Sequence, residues 1–227
     1  MAATREAAPG PRSARRRFTR QEQQARTRAL LLDTAVDVCA ERGLAGARVE
    51  EICERAGFST GAVYSNFAGK DDLLLAVFEE RLEPRLRKLA APLIAAETAA
   101  EQAQASGALI RSLLADERPY LVLLGEFWAR AARDPDVGER FAAIRRRRRT
   151  MVQGMIEERV SQGRAAAGLP AADLAAGFVG LAMGVLFESL VDRELDGERV
   201  YRLAFELMSA GAARAADTPT TARPRSR

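Results

Sequence analysis

The stretch Ala56-Gly57-Phe58-Ser59-Thr60-Gly61-Ala62-Val63-Tyr64-Ser65-Asn66-Phe67-Ala68-Gly69-Lys70 decides the fold of this 227-residue chain. Apolar residues at helical spacing predict one short helix over 49–56, just before and into this stretch, and another over 61–67 within it. Gly57 permits the sharp turn between them, and Ser59 can cap the second helix. Helices of about two turns are marginal alone and require packing against a neighbour. The pattern therefore predicts a helix-turn-helix.

The segments on either side of the motif predict the helices that support it. Thr19-Arg20-Gln21-Glu22 fits a capping box, so we expect helix 1 to begin there and to end at Gly43. The apolar face of helix 1 repeats at spacings of three and four and consists of Leu31, Leu32, Ala35, Val38 and Cys39. A fourth helix begins near Lys70, with two aspartates in the first turn where the helix dipole favours acids, and runs toward Pro84.

The rest of the chain predicts helices and no strands, because apolar residues recur at helical spacing and runs of β-branched residues are missing. We expect these helices over 100–115, 118–132, 136–163, 171–194 and 197–213. The predicted fold class is therefore all-α, with nine or ten helices. Residues 1–18 and 212–227 are rich in Pro, Ala and Arg without apolar periodicity, and we expect both tails to be disordered.

The composition excludes several classes of chemistry. Histidine is absent, which removes Ser-His-Asp and Cys-His nucleophile systems and His-ligated zinc. The two cysteines, Cys39 and Cys53, can neither form a disulfide scaffold nor close a four-ligand metal site, and Cys39 is most simply a small buried hydrophobe. Adjacent carboxylates such as Glu157 and Glu158 do not face one another on a helix, so they make poor catalytic pairs. We expect no enzyme, no cofactor and no metal.

The charge points to a polyanionic partner. The net charge of +4 falls entirely within residues 1–70, and residues 1–28 contain eight arginines against two glutamates. A basic segment ahead of a folded domain favours nucleic acid. Two cysteines suggest a reducing compartment, and the longest uncharged stretch in the C-terminal half, 174–187, is shorter than the ~20 residues of a membrane span. We expect a cytoplasmic protein with no membrane partner.

Residues 28–80 resemble the DNA-binding domain of the TetR family of bacterial transcriptional regulators. The resemblance rests above all on the spacing Gly-x-Ser-x-Gly-x-x-Tyr-x-x-Phe-x-x-Lys, which runs from Gly57 to Lys70, and covers about a quarter of the chain by motif. It implies a three-helix DNA-binding domain over 19–70, followed by a helical effector-binding and dimerisation domain over 71–211. The implied function is a ligand-responsive repressor that binds a double-stranded DNA operator as a homodimer.

The resemblance and the chemistry of the residues together suggest a DNA-contacting set. Small residues at the start of the recognition helix allow close approach to the major groove, the Tyr64 phenol and the Lys70 ammonium suit phosphates, and amide or guanidinium groups can read base edges. Ala47 and Arg48 stand where the family commonly has a hydroxyl cap, so Arg48 can replace a phosphate contact by charge. The predicted DNA-binding residues are Arg28, Arg48, Ser59, Thr60, Gly61, Ala62, Tyr64, Asn66 and Lys70.

Two further sets are predicted for the second domain. The resemblance implies a small-molecule effector, and aromatic and methionine residues of adjacent helices can line a largely apolar cavity for it. This predicted cavity set is Tyr120, Phe127, Trp128, Phe141, Met151, Met155 and Phe178. Apolar residues of the last two helices, interleaved with glycines that permit close approach, can form a four-helix interface between two subunits. The predicted interface set is Leu174, Phe178, Leu181, Val185, Val200, Leu203 and Leu207.

Several of these sequence features have a second interpretation. The cavity residues can equally fill a core, the interface residues can pack within one subunit, and the arginine-rich tails alone can make a nonspecific nucleic-acid-binding protein. The run Arg145 to Arg149 is most simply a solvated, salt-bridged stripe. Five consecutive residues cannot share one helix face, however, so at least one is expected to flank the core, its head paired with Glu139, Glu157 or an anionic ligand.

Overall fold

The computed structural model describes residues 19–165 and 168–217, and in this part of the chain it contains ten helices and no strand. The predicted all-α class and helix number are therefore confirmed. The predicted disorder of residues 1–18 and 218–227 falls outside the described residues.

The first three helices, α1 (Arg20–Gly46), α2 (Val49–Ala56) and α3 (Thr60–Tyr64), form the helix-turn-helix domain. The capping box at Thr19 is present: the Glu22 amide donates to the Thr19 hydroxyl at 3.2 Å, and the Thr19 amide donates to the Glu22 carboxylate at 2.8 Å. Gly43 interrupts α1 at φ +70°, and Gly57 makes the turn after α2 at φ +74°. Both positions use the left-handed conformation that glycine adopts without a Cβ penalty.

The core of this domain forms where the three helices meet. The apolar face predicted for α1 is buried, and Ile52 of α2 and Val63 of α3 are fully buried against it. Phe67 is 3% exposed and closes the same core. Complete burial of large apolar side chains stabilises each by about 1.5–3 kcal/mol, which explains how helices as short as α2 and α3 persist.

Both cysteines lie in this core as free thiols. Burial raises the pKa of Cys39 from 9.0 to about 11, and the positive charge of Lys70 offsets this rise only in part. Burial also raises the pKa of Cys53. We predict that neither thiol reacts with Ellman's reagent at about pH 8 in the folded protein and that both react after denaturation. Because the folded-state pKa values are raised, the unfolded chain loses these protons first, so the free energy of unfolding should fall as pH rises above about 9. Rapid labelling of the native protein would contradict this assignment.

Helix α4 connects the two domains and consists of Lys70–Val77, a π-helical turn over Phe78–Leu82, and Glu83–Leu89. The expected end near Pro84 was wrong, because the helix continues through that proline. Pro84 lacks the amide that would bond the Glu80 carbonyl, and the Arg81 guanidinium donates to that carbonyl instead, at 3.3 Å. The widened turn just before Pro84 lets the helix pass this residue.

The second domain is built from α4 and six further helices. They are α5 (Ala91–Ala95), α6 (Ala99–Asp116), α7 (Arg118–Ala131), α8 (Pro135–Ser161), α9 (Ala171–Val191) and α10 (Gly197–Asp217). The last helix packs along α6 and α9, and α9 also packs along α8. The expected start of a disordered tail at residue 212 was wrong, because Ala212 is buried, its carbonyl accepts from the Gly168 amide at 2.9 Å, and α10 continues to Asp217.

Among the described residues, only α9 is long and apolar enough to cross a membrane by length and composition, with a mean hydropathy of 2.0 in its most apolar window. A core helix of a water-soluble protein meets the same criteria. Helix α9 packs against α6, α7, α8 and α10, and it carries Asp173 and Glu188 near its ends. The absence of a membrane partner stays a prediction.

Candidate DNA-binding surface and effector cavity

Helix α3 presents one face to solvent and one to the core. Thr60 and Gly61 are exposed, Tyr64 is 61% exposed, and Val63 on the opposite side is fully buried. Phe67 is buried and anchors the turn that follows α3, whereas the exposed Tyr64 is not a core residue. The result is a short exposed ridge of small and polar groups on a rigid apolar base.

One predicted residue of this ridge lacks the contact expected for it, and another makes local contacts that the sequence did not indicate. The Ser59 hydroxyl makes no capping hydrogen bond, so its expected capping role was wrong. The Asn66 side-chain amide donates to the Ala62 carbonyl at 2.8 Å and to the Ser65 hydroxyl at 3.3 Å. Asn66 therefore helps to terminate α3, and base reading by this residue would require its amide to leave those acceptors.

Arg28 contacts the turn that follows the ridge and holds this turn against α4. Its guanidinium donates to Glu80 at 2.6 Å and to the Asn66 carbonyl at 2.7 Å, and it lies 4.3 Å from the centre of the Phe67 ring. These contacts join α1, the turn after α3, and α4. In this structure Arg28 is a positioning residue rather than a group extended toward DNA.

The remaining predicted cations lie beside the ridge. Arg48 is exposed at the N-terminus of α2, where its side chain makes no cap. Lys70 begins α4, and its ammonium donates to the Ala45 carbonyl at 3.4 Å. Both charges are thus near backbone loops that flank α3, as expected for groups that contact phosphates.

A ladder of ion pairs joins α4 to the body of the second domain. Asp71 accepts from Arg130 of α7 at 2.7 Å, and Glu83 pairs with Arg148 of α8 at 3.4 Å. Two further pairs between them are Asp72 with Arg140 and Glu79 with Arg147. Each ion pair is partly exposed and contributes little free energy by itself. Together the four pairs fix the direction of α4, to which the helix-turn-helix domain is attached.

Glu126 of α7 provides a second link between the domains. Its carboxylate accepts from the Leu44 amide at 2.5 Å, and a Cβ at Gly43 would lie only 2.9 Å from one of its oxygens. We predict that Glu126→Ala lowers the free energy of unfolding by about 1–2 kcal/mol in urea titrations, because the Leu44 amide loses its acceptor. Glu126→Gln retains an amide oxygen at this position and should lose less. Equal losses in the two variants would refute the role of the hydrogen bond.

The second domain encloses a cavity of about 770 Å³ bounded by α4 through α10. Four of the seven residues predicted for an effector cavity line it: Tyr120, Met151, Met155 and Phe178. The walls are predominantly apolar, and the charged groups are mainly arginines of α4 and α8 together with a few glutamates. Size and lining are those of a small-molecule site.

The other three predicted cavity residues, Phe127, Trp128 and Phe141, do not line the cavity, so this part of the prediction was wrong. They form an aromatic cluster with Phe78 of α4, in which the Phe78 and Phe127 rings lie 4.8 Å apart and the Phe127 and Phe141 rings 5.2 Å apart. Phe127 is fully buried. These residues fill the core beneath the π-helical turn of α4, the alternative that aromatic spacing could not exclude.

The predicted interface residues divide between the interior and the surface. Leu174 and Val185 are buried, Phe178 lines the cavity, and Leu181 is half-buried against the core, so these four of α9 pack within the subunit. The three of α10 form an exposed apolar stripe: Val200 is 39%, Leu203 52% and Leu207 61% exposed.

The exposed face of α9 beside this stripe consists of small residues, among them two of the glycines expected to permit close approach. Ala176, Gly180 and Gly184 are spaced four apart and all exposed. A Cβ at Gly180 or Gly184 would meet no atom within 4 Å. Spacing of small residues at every fourth position was the available sequence signal for this face.

The arginine run on α8 is not one solvated stripe. Arg145 is 6% exposed and its guanidinium lies 4.9 Å from the Trp128 ring, while burial and neighbouring Arg148 lower its pKa to about 10. Arg147 and Arg148 pair with α4 and not with Glu139 or Glu157. The expectation that one arginine flanks the core is therefore confirmed, and the two expected partners were wrong.

The fold and these surfaces define a class of protein: a helix-turn-helix domain on an all-helical body with an internal cavity. Residues 31–77 match the model of bacterial regulatory proteins of the tetR family, and residues 108–211 match that of the C-terminal domain of BetI-type transcriptional repressors. The chain belongs to the TetR family of bacterial transcriptional regulators.

Individual relatives support this assignment. The chain is 36% identical to the fatty acid metabolism regulator protein of Bacillus subtilis over 52 residues, which are 23% of this chain and 27% of that protein. It spans between about a quarter and two-fifths of the length of the curated relatives it matches.

Solved structures extend the similarity to most of the chain at the level of the fold. The transcriptional regulator FadR from Bacillus subtilis, in complex with stearoyl-CoA, has a TM-score of 0.63 at 20% identity, covering 81% of this chain and 98% of that one. The fatty acid degradation regulator FadR from Bacillus halodurans has a TM-score of 0.64 at 19% identity, covering 81% and 94%.

Proposed function

We propose that this chain is a ligand-responsive repressor that binds a pseudopalindromic DNA operator as a homodimer and is released by a small-molecule effector. The observation that carries the proposal is the exposed ridge of α3, with Thr60, Gly61 and Tyr64 facing solvent above a fully buried base. A solvent-facing recognition helix on a rigid support is what major-groove docking requires.

The roles proposed for individual residues follow from their placement. Thr60, Gly61 and Ala62 face the groove, where their small size permits close approach to base edges. Tyr64, Lys70 and Arg48 contact phosphates on either side, which orients the domain on the duplex. Arg28 and Asn66 hold the ridge in shape through the contacts described above.

A homodimer supplies the second recognition helix. The apolar stripe of α10 and the small-residue face of α9 lie side by side and are exposed in the single chain. Two copies can therefore pack as a four-helix interface that buries both faces. Recognition helices spaced about 34 Å apart, one turn of DNA, would then read two half-sites.

Release from DNA is proposed to run through α4. This helix borders the cavity at Glu83 and Leu86, begins at the DNA-binding domain, and is tied to α7 and α8 by the ion-pair ladder. An effector that binds better to a conformation with a shifted α4 would change the spacing of the two recognition helices and lower the population competent for the operator. The stearoyl-CoA bound to the Bacillus subtilis relative supports a large, mostly apolar effector for a cavity of this type.

Gel shifts on the promoter DNA beside the chain's own gene test the proposal. We expect binding in the presence of excess nonspecific DNA, with footprints that show two related half-sites. Deleting residues 1–18 distinguishes the nonspecific alternative: loss of nearly all affinity would support tail-driven binding, whereas retained sequence preference would support the helix-turn-helix.

A further inference from the structure

One arginine of the cavity wall lacks a counterion. Arg159 of α8 is 7% exposed, and among the residues the structure describes no carboxylate pairs with it. Its Nη1 donates to the Ala96 carbonyl at 2.5 Å and its Nη2 to the Glu97 carbonyl at 3.4 Å, while its Nε is buried with no acceptor. Burial and, second, the charge of Arg164 lower the pKa of Arg159.

A purely structural role accounts for only part of this arrangement. The two carbonyl bonds secure the chain between α5 and α6, a task that a neutral donor can perform. A buried cation costs free energy unless an anion compensates it. Glu158, which also lines the cavity, accepts from Gln162 at 3.1 Å, and the nearby Arg164 adds positive charge. The cavity wall therefore holds a buried guanidinium with which no carboxylate pairs among the described residues, although Glu158 and Glu206 also line the cavity.

The opposite end of the cavity differs in this respect. Arg148 lies eleven residues before Arg159 on the same helix, a distance of about 16 Å along its axis, and it is paired with Glu83. Between them α8 lines the cavity with four apolar side chains, Met151, Val152, Met155 and Ile156, and with Glu158 next to Arg159. Along α8 the cavity wall therefore runs from a paired cation, across apolar side chains, to a buried cation that has no carboxylate partner among the described residues.

We infer that the effector is an elongated apolar molecule that ends in an anionic oxyacid group, either a carboxylate or a phosphate, and that Arg159 binds this group. The inference rests on the proposed function, because it specifies the effector of the same cavity. The Nε has almost no accessible surface, so an oxyanion would meet the guanidinium after a rotation of the Arg159 side chain toward the cavity, and it would then supply the missing acceptor and the missing charge together.

Calorimetric titration of the full chain with three probes of equal chain length tests the inference: decanoate, decyl phosphate and decanol. We expect at least one of the two anions to bind about 10- to 100-fold more tightly than decanol, and the stronger anion identifies the oxyacid. In Arg159→Gln this preference should disappear while decanol binding stays within about threefold. Arg146→Gln, on the same helix but exposed and outside the cavity wall, is the matched control and should keep the preference.

Equal binding of the anions and decanol to the unaltered protein, or no binding of any probe, would overturn the inference. So would an anion preference that survives in Arg159→Gln. Gel shifts without any probe separate this result from the proposed function. If the operator is bound but anions are not preferred, only the inference fails; if anions are preferred but no DNA sequence is, only the regulator proposal fails.

Discussion

Gly61→Glu is expected to reduce operator binding at least about 100-fold without unfolding the protein. A Cβ at Gly61 would have only the Ser59 hydroxyl nearby, at 3.6 Å, so the side chain fits and extends from the exposed ridge of α3. In the complex it would place a carboxylate and extra bulk between the ridge and a polyanionic groove, where repulsion and steric exclusion act together. Gel shifts at fixed salt concentration measure the loss.

Gly154→Glu is the matched control for this change. Gly154 is also an exposed helical glycine, its Cβ would meet no atom within 4 Å, and it lies on α8 in the second domain. Both variants replace a helix-destabilising glycine with the same acid, so both should fold at least as stably as the parent chain. If Gly61→Glu binds the operator as well as Gly154→Glu does, α3 does not dock in the groove.

The double change Leu203→Glu and Leu207→Glu is expected to convert the proposed dimer to monomers. These two residues are 52% and 61% exposed in the single chain, so acids are tolerated there, but in a dimer the four introduced carboxylates would be buried against one another. Sedimentation velocity should show a single species of half the parent's mass. Operator affinity should fall at least about 100-fold, because each monomer engages only one half-site.

Leu30→Glu provides the control for the loss of an exposed leucine. Leu30 is 42% exposed on α1, away from α9 and α10, and its replacement should leave the oligomeric state unchanged. A double variant that sediments like the parent chain would show that the stripe on α10 is not the subunit interface. The circular dichroism of both variants at 222 nm, compared with the parent chain, verifies that the helices are retained.

The helix-turn-helix was predictable because its determinants are local. Thr19 and Glu22, Gly43, Gly57 and the spacing of apolar side chains each act within a few residues, and the structure places all of them as expected. Some exceptions were local, such as the missing Ser59 cap, and another came from a distant segment. The commitment of Arg28 to Glu80 joins residues 52 positions apart, and no local pattern specifies such a pair.

The cavity was only partly predictable. Aromatic residues at helical spacing show that a side chain faces inward, but filled core and cavity wall use the same residue types. Phe127 and Phe141 lie in the core because Phe78 of α4 packs onto them, whereas Met151 and Met155 line the cavity. The orphaned position of Arg159 was equally hidden, since whether a buried cation has a partner depends on every helix around it.

The sequence by itself determined the all-α class, the helix-turn-helix and the family, since capping residues, glycine turns and apolar spacing act over short distances. Only the tertiary structure decided which inward residues enclose a cavity, which face of α9 stays exposed, and that Arg159 has no carboxylate partner among the described residues. Those properties depend on how helices from distant parts of the chain pack together, and packing is set by the shapes and charges of all their neighbours at once.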